Sequence, residues 1–169
     1  MGTLGWIALG LAVLIAIVSA AAFLLLRPRR TGRQEKSLAR ARREFHLRRE
    51  QLEAKFLTRA GESGKPRGLR WTDCDFENDV TYARDKRSGQ LSAFVAVTIS
   101  FEAIEGGGME EVEAVSNLRA ATAVFSFDEE RQWYTEGRAI FNLNPAEAIR
   151  YYQANLELVA QEAAGGSSR

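Results

Sequence analysis

Hydrophobic and polar positions follow three different patterns along the chain. The first is an apolar run from Leu4 to Leu26 that contains no charged side chain. The second, residues 31–60, mixes charged residues with strong helix formers and contains no proline. From residue 69 onward apolar residues return at every second position, which is typical of half-buried strands. The pattern predicts an apolar helix, then a charged helix, then a domain that contains strands.

The apolar run predicts a transmembrane helix, because at about 1.5 Å per residue it can cross a hydrocarbon core of about 30 Å. A cleaved signal peptide is the alternative, since residues 18–21, VSAA, offer the small side chains of a cleavage site. However, residues 1–6 carry no basic side chain and the run is longer than such peptides have. Arginines follow the run directly, and positive flanks tend to stay in the cytoplasm. We expect a single-pass membrane protein with its N-terminus outside and its C-terminal domain cytoplasmic.

Residues 27–60 predict a basic juxtamembrane helix, with 12 Lys and Arg against 4 Asp and Glu. Its apolar stripe is interrupted at Arg48 and Arg49, which argues against a coiled coil. A basic segment beside a span attracts anionic lipid headgroups. The alternative is a solvated spacer whose charges only set the topology. The candidate lipid contacts are Arg27, Arg29, Arg30 and Arg33.

Small residues recur at every fourth position of the apolar run, at Ala8, Ala12, Ala16 and Ala20. This spacing lets two helices approach closely and makes a homodimer through the span a candidate. Alanine is also common in such helices, so the row has a second explanation that involves no partner. Both interpretations stay open.

Residues 69–161 predict an acidic domain built around a sheet. The stretch 90–104 alternates apolar and mixed positions over a long run, which predicts a central strand. A helix start follows at Asn144, with Pro145 in the first turn and Glu147 as the capping-box carboxylate. Helical spacing then continues through Ile149, Tyr152, Leu156 and Val159.

The predicted fold class is α+β. It comprises an N-terminal transmembrane helix, a basic juxtamembrane helix and an antiparallel β-meander of about five strands, one face of which is covered by a C-terminal amphipathic helix. The predicted organisation is an anchor at 1–26, a basic helix at 27–60, a linker at 61–68, the α+β domain at 69–161 and a disordered tail at 162–169.

Charge is distributed unevenly although the net charge is only +1. Residues 1–70 hold 15 Lys and Arg against 5 Asp and Glu, and the remainder holds 8 against 17. Arginine-rich helices bind phosphate backbones in some proteins. Here the domain beyond the basic helix is acidic, so we expect no nucleic-acid partner.

The acidic stretch at 73–79 begins like a calcium loop, with alternating carboxylates. Asn78 stands where the sharp-turn glycine belongs and Arg84 where the bidentate glutamate belongs, so an EF-hand is not predicted. The single cysteine, Cys74, has no nearby histidine to act as its base, and the single histidine, His46, lies in the charged helix. The sequence predicts no enzyme, no metal site and no cofactor.

Two stretches, "GKPRGLRWTDC" and "AVFSFDEERQWYTEGRAIFNLNPAEAI", resemble uncharacterised bacterial single-span membrane proteins. The resemblance covers residues from about 64 to 152. It implies a shared architecture and carries no implication for chemistry.

Together these features predict a membrane-anchored, non-enzymatic binding or scaffolding module that presents its domain to a protein partner. The candidate contact is an acidic loop containing Glu110, Glu111 and Glu113. The alternative is a small-molecule or lipid-binding domain with a pocket between the sheet and the C-terminal helix. A deep apolar cavity would favour the ligand, and a filled core with an exposed patch would favour the protein partner. The candidate pocket residues are Trp71, Trp133 and Tyr152.

Overall fold

The computed structural model describes residues 3–63, 68–112, 117–130 and 132–163, without side-chain detail at residues 3–10, 20 and 22–34. The chain forms two compact units, Met1–Glu44 and Phe45–Arg169. A long helix, α1, runs from Thr3 to Glu62 and contributes to both units. The strands that the structure describes all belong to the second unit.

The predicted transmembrane anchor is wrong. Among the residues that the structure describes, no helix is both long enough and apolar enough to cross a membrane. The single-pass topology, with the N-terminus outside and a cytoplasmic C-terminal domain, is wrong for the same reason.

Two further predictions depend on that span. The proposed lipid contacts lie on α1, but their side chains are outside the described set: Arg27, Arg29, Arg30 and Arg33. In the alanine row, Ala12 and Ala16 are exposed, whereas the side chains of Ala8 and Ala20 are not described. The structure tests neither the lipid contact nor the helix dimer. Both predictions assumed a transmembrane helix, and that assumption is wrong.

The second unit is built on a six-stranded antiparallel sheet. Its strands lie in the order β4-β3-β2-β1-β6, and β5 pairs with β3 next to β4. The α+β class and the antiparallel sheet are confirmed, with six strands where about five were expected. The strands are β1 (Leu69–Asp85), β2 (Leu91–Ala103), β3 (Arg119–Asp128), β4 (Gln132–Tyr134), β5 (Ala139–Phe141) and β6 (Leu156–Glu162).

Period-two alternation explains why β2 is central. Val95, Val97 and Ile99 are buried, and each pairs with a residue of β1. Phe94, which points to the opposite face, is buried as well. A strand that is apolar on both faces gains most from the middle of a sheet, where both faces can be covered.

Residues 45–62 of α1 cover one face of the sheet, which we call the helix face. Phe45, Leu52, Phe56 and Ala60 are all buried and lie on one side of the helix. Ring contacts join Phe45 to Tyr82 of β1 and Phe56 to Phe125 of β3. Burial of each large side chain contributes about 1.5–3 kcal/mol. The main cover of the sheet is therefore the N-terminal helix and not the C-terminal helix that the sequence predicts.

The C-terminal helix is shorter than predicted. The second helix, α2 (Pro145–Tyr151), starts with the predicted capping box, in which Asn144 Oδ1 accepts from the Glu147 N–H at 2.9 Å. It ends at Tyr151, and the predicted helical positions at Leu156 and Val159 lie in β6 instead. The physical reason is tertiary, since residues 156–162 gain a ladder of backbone hydrogen bonds along Val80–Asp85 of β1.

The end of α1 approaches the link between β4 and β5 very closely. Gly137 has a φ of +73°, and a Cβ atom built on it would lie 2.3 Å from the Ala60 backbone nitrogen. Only glycine fits both the backbone conformation and the space. This contact fixes one end of the helix on the sheet.

Candidate functional site

An aromatic core fills the space between α1 and the sheet. The Phe45 ring lies 4.9 Å from Trp133 and 5.4 Å from Phe125, measured between centroids. Trp71 packs edge-on against Phe56 at 6.2 Å. Because these rings touch one another, the helix face offers a filled core in which the two tryptophans are packing residues.

The third predicted pocket residue lies elsewhere. Tyr152 lines a groove on the opposite face of the sheet, which we call the open face, beside the end of α2. The structure therefore does not bring Trp71 and Trp133 together with Tyr152. It does place a groove of about 600 Å³ between the sheet and the segment around α2.

The groove on the open face has an apolar floor and a charged rim. Val124, Ile140 and Leu156 are partly buried there and pack against Phe94. Charges of both signs line the rim, at Asp85, Arg87, Glu136 and Arg138. The Arg138 guanidinium lies 5.6 Å from the Tyr152 ring centroid, within reach of a cation–π contact. Such a surface can hold a mixed polar and apolar ligand.

Strand β1 is pinned to α1 where its pairing with β2 is interrupted. The register shifts between Trp71 and Asp73 and again between Phe76 and Val80, where Glu77, Asn78 and Asp79 form a bulge. The Arg49 guanidinium donates to the backbone carbonyls of Glu77 and Asn78, the second at 2.9 Å. It also donates to the Glu53 carboxylate at 2.7 Å. The arginine that interrupts the apolar stripe thus satisfies bulge carbonyls that the sheet leaves unpaired.

The two sides of β1 are covered to different lengths by the strands that the structure describes. β2 pairs with β1 from Leu69 to Arg84, whereas β6 covers the other side only from Val80 to Asp85. No strand in the described ranges pairs with the outer side of Leu69–Phe76, which we call the open edge. Backbone N–H and C=O groups on such an edge are a template for pairing with another chain.

The opposite side of the sheet is better closed. β4 and β5 pair with the two ends of β3, and the gap between them is bridged. There Thr135 Oγ1 donates to the Val124 carbonyl at 3.1 Å, and the Val124 N–H donates to the Arg138 carbonyl at 3.0 Å. These bonds use backbone groups of β3 that would otherwise be exposed.

The predicted acidic residues lie on the open edge and its bulge. Asp73 and Asp75 point to the open face, where they pair across from Ser100 and Thr98 of β2. Among the described residues, no group of three or more His, Cys, Asp or Glu side chains is arranged to hold a metal ion. The Asp73 carboxylate instead accepts the Cys74 N–H at 2.9 Å.

Cys74 lies on the helix side of the same strand. Burial, with a smaller contribution from the charge of Asp73, raises the pKa of its thiol from 9.0 to about 12. A thiol in this state is mostly protonated at neutral pH and is a weak nucleophile. The sequence predicts a half-buried structural thiol here, and this environment fits that role.

His46 links α1 to β6. Its Nε2 lies 2.7 Å from Glu162 Oε2, and the Tyr82 hydroxyl donates to the same oxygen at 3.1 Å. Three elements of the fold therefore meet at one carboxylate. Sequence reasoning missed this cluster because its members lie far apart along the chain.

The predicted acidic contact loop is described only in part. Glu110 accepts the Gly106 N–H, and its pKa is lowered by hydrogen bonds from its own backbone N–H and from that of Gly106. Glu111 is exposed beside it, and Glu113 lies outside the described residues. Glu110 therefore stabilises its own loop.

Comparison with known proteins returns no matching family model, no matching curated protein and no matching solved structure. The resemblance to bacterial single-span proteins stays a prediction that these comparisons do not test.

Proposed function

We propose that the second unit is a non-enzymatic module that binds a protein partner through the open edge of β1. The observation that carries the proposal is that, in the part of the chain that the structure describes, no strand pairs with the outer side of β1 before the bulge, whereas Val80–Arg84 pair on both sides. Extended peptides bind such edges by adding a strand, and main-chain hydrogen bonds supply the affinity.

Rigidity favours this edge as a docking site. β1 is held by β2 along nearly its whole length and by Arg49 at the bulge, so the edge is ordered before a partner arrives. A preformed edge lowers the conformational entropy that a partner must lose on binding.

The state of two reactive side chains supports a non-enzymatic role. Cys74 has a raised pKa, and His46 is engaged with Glu162 in a contact between α1 and β6. Both side chains act here as parts of the fold.

Site-specific photo-crosslinking tests the proposal. A photoreactive residue replaces Thr72, which is exposed on the open edge, and in a control chain it replaces Leu47, which is exposed on α1. We expect protein adducts from position 72 that are absent from position 47. A purified adduct partner should then protect the amides of Leu69–Phe76 from hydrogen exchange. Identical adducts at both positions, or no protection of the edge, would contradict the proposal.

The groove on the open face supports a second candidate, a small-molecule binding site. Its volume of about 600 Å³ lies within the range of ligand pockets, and its floor is apolar with a few polar groups at the rim. Ligand screening by NMR on the full chain tests it. Shifts confined to the groove and lost in Tyr152→Ala would support this candidate, and shifts that survive the substitution would contradict it.

A further inference from the structure

The open edge presents a different chemistry on each side of the strand. Asp73 and Asp75 point to the open face and are exposed. Cys74 and Phe76 point to the helix face and are half-buried. A strand added beside β1 places its side chains next to these residues in the same alternation.

This alternation of acidic and half-buried side chains indicates which kind of segment can pair with the open edge. We propose, building on the function proposed above, that the open edge binds an extended segment of another protein in which basic and apolar residues alternate. Its basic side chains lie beside Asp73 and Asp75, and its apolar side chains lie beside Cys74 and Phe76. Opposite charges placed side by side on neighbouring strands stabilise their pairing.

The two aspartates determine the preference for basic residues, because the charged side chains on either side of them already have partners. Arg70, at the start of the edge, already pairs with Glu102 of β2 at 2.6 Å. At the other end, Arg49 occupies the bulge carbonyls of Glu77 and Asn78. The regular part of the open edge therefore runs from Asp73, after the register shift at Thr72, to Phe76 before the bulge, and these four residues set the alternation of a bound segment.

A second copy of this chain is a poor occupant. Pairing of two open edges would bring the aspartates of one β1 close to those of the other, and like charges on paired strands are destabilising. The chain's own basic stretch is also a poor occupant, because residues 27–49 lie in α1 and are helical. Charge complementarity therefore favours a basic segment from a different protein.

β6 offers a second run of sheet edge on its outer side, since it is the last strand in the order. Among the described strands it pairs with β1 alone, and it carries Glu157 and Glu162. A segment on the open edge would instead lie in line with β6, along the same side of β1. It would contact the part of β1 that pairs with β2. We place the partner on the open edge for this reason.

Defined peptides test the proposal on the full chain. The probe is an acetylated octapeptide of alternating lysine and valine, compared with matched glutamate–valine and serine–valine peptides. Hydrogen exchange locates binding, and titration gives the affinity. We expect the lysine peptide to protect Leu69–Phe76 and to bind about tenfold more tightly than the serine peptide, the effect of two favourable charge pairs.

Charge reversal supplies the matched control. In the double variant Asp73→Lys and Asp75→Lys both substituted sites are exposed, and the change removes one local bond, from the Cys74 N–H to Asp73, so circular dichroism should show the same fold. We expect this variant to prefer the glutamate peptide. A lysine peptide methylated on alternate backbone nitrogens, which blocks strand pairing, should not bind.

The outcomes separate the two proposals. If all three peptides protect the edge equally, the docking edge stands and the basic specificity is overturned. If no peptide protects it, or if protection falls on β6, both are overturned. If the edge is already protected without peptide and truncation after Ala163 removes that protection, the chain's own C-terminus occupies it and the inference is overturned.

Discussion

The Arg49 guanidinium on α1 donates a hydrogen bond to the backbone carbonyl of Asn78 in the bulge of β1, at 2.9 Å. The bond joins residues 29 positions apart in the sequence. It explains how a charged residue can interrupt the apolar stripe of a packing helix, and it fixes the point at which the open edge ends.

Arg49→Lys should destabilise the second unit. A lysine keeps the charge but loses the planar fork that reaches two carbonyls and Glu53 at once. Hydrogen bonds to charged groups contribute about 1.5–3 kcal/mol each, so we expect a loss in that range in the free energy of unfolding. Denaturant unfolding measures it. The exposed Arg43→Lys is the control, and an equal loss in both variants would contradict this role.

His46→Ala should loosen β6 without unfolding the sheet. The imidazole contacts Glu162 at 2.7 Å near the end of β6, and β1 is the one described strand that pairs with β6. The contact is partly exposed, so we expect a cost of no more than about 1 kcal/mol. Hydrogen exchange should accelerate in Leu156–Glu162 and stay unchanged in β2. Acceleration throughout the sheet would show that the contact supports the whole fold.

Cys74 should react slowly with alkylating reagents in the native protein. Its pKa is raised from 9.0 to about 12, so at pH 8 its thiolate fraction is on the order of a thousandfold below that of a free thiol. Mass spectrometry after timed iodoacetamide treatment, with urea-unfolded chain as the reference, measures this. Equal rates in the native and unfolded chains would contradict the burial of Cys74.

The same shift predicts a loss of stability at alkaline pH. Between pH 9 and about 12 the unfolded chain releases the Cys74 proton while the folded chain retains it. The contribution of this thiol is therefore fully present below pH 9 and is lost as pH rises toward 12. Cys74→Ala should flatten this part of the stability profile. An unchanged alkaline slope in the variant would exclude Cys74 as its source.

Gly137→Ala should be more destabilising than Gly89→Ala. Both glycines have positive φ, so each substitution carries a backbone cost of about 1–2 kcal/mol. Only at Gly137 does the new methyl group also collide with the backbone of Ala60 on α1. Thermal unfolding compares the two variants. Equal losses would mean that α1 moves away from the β4–β5 link at no cost.

Local patterns in the sequence predict the strongly periodic elements well. The alternation at 90–104 correctly predicts β2 and its buried face. Asn144 and Glu147 correctly predict the start of α2. Local propensity and tertiary packing agree at these positions. The apolar spacing after Tyr152 fits a helix as well as it fits a strand. Pairing with β1 makes this segment a strand.

Long-range relationships could not be predicted from the sequence. The charged residues of the predicted juxtamembrane helix obscured its packing side, where Phe45 and Phe56 are fully buried against the sheet. The tryptophans that suggested a pocket are core residues because that helix covers them. Whether a strand edge is paired depends on the length and register of its neighbour. The open edge therefore becomes visible only when β6 is seen to stop opposite Val80.

Residue-resolved amide hydrogen exchange of the full chain, without any partner, tests the central claim most directly. A strand paired on one side protects every second amide, whereas a strand paired on both sides protects consecutive amides. We predict alternating fast and slow exchange through Asp73–Phe76, which follow the register shift at Thr72, and uniformly slow exchange through Val80–Arg84. Uniform protection along Leu69–Phe76 would mean that the edge is already filled and would contradict the account.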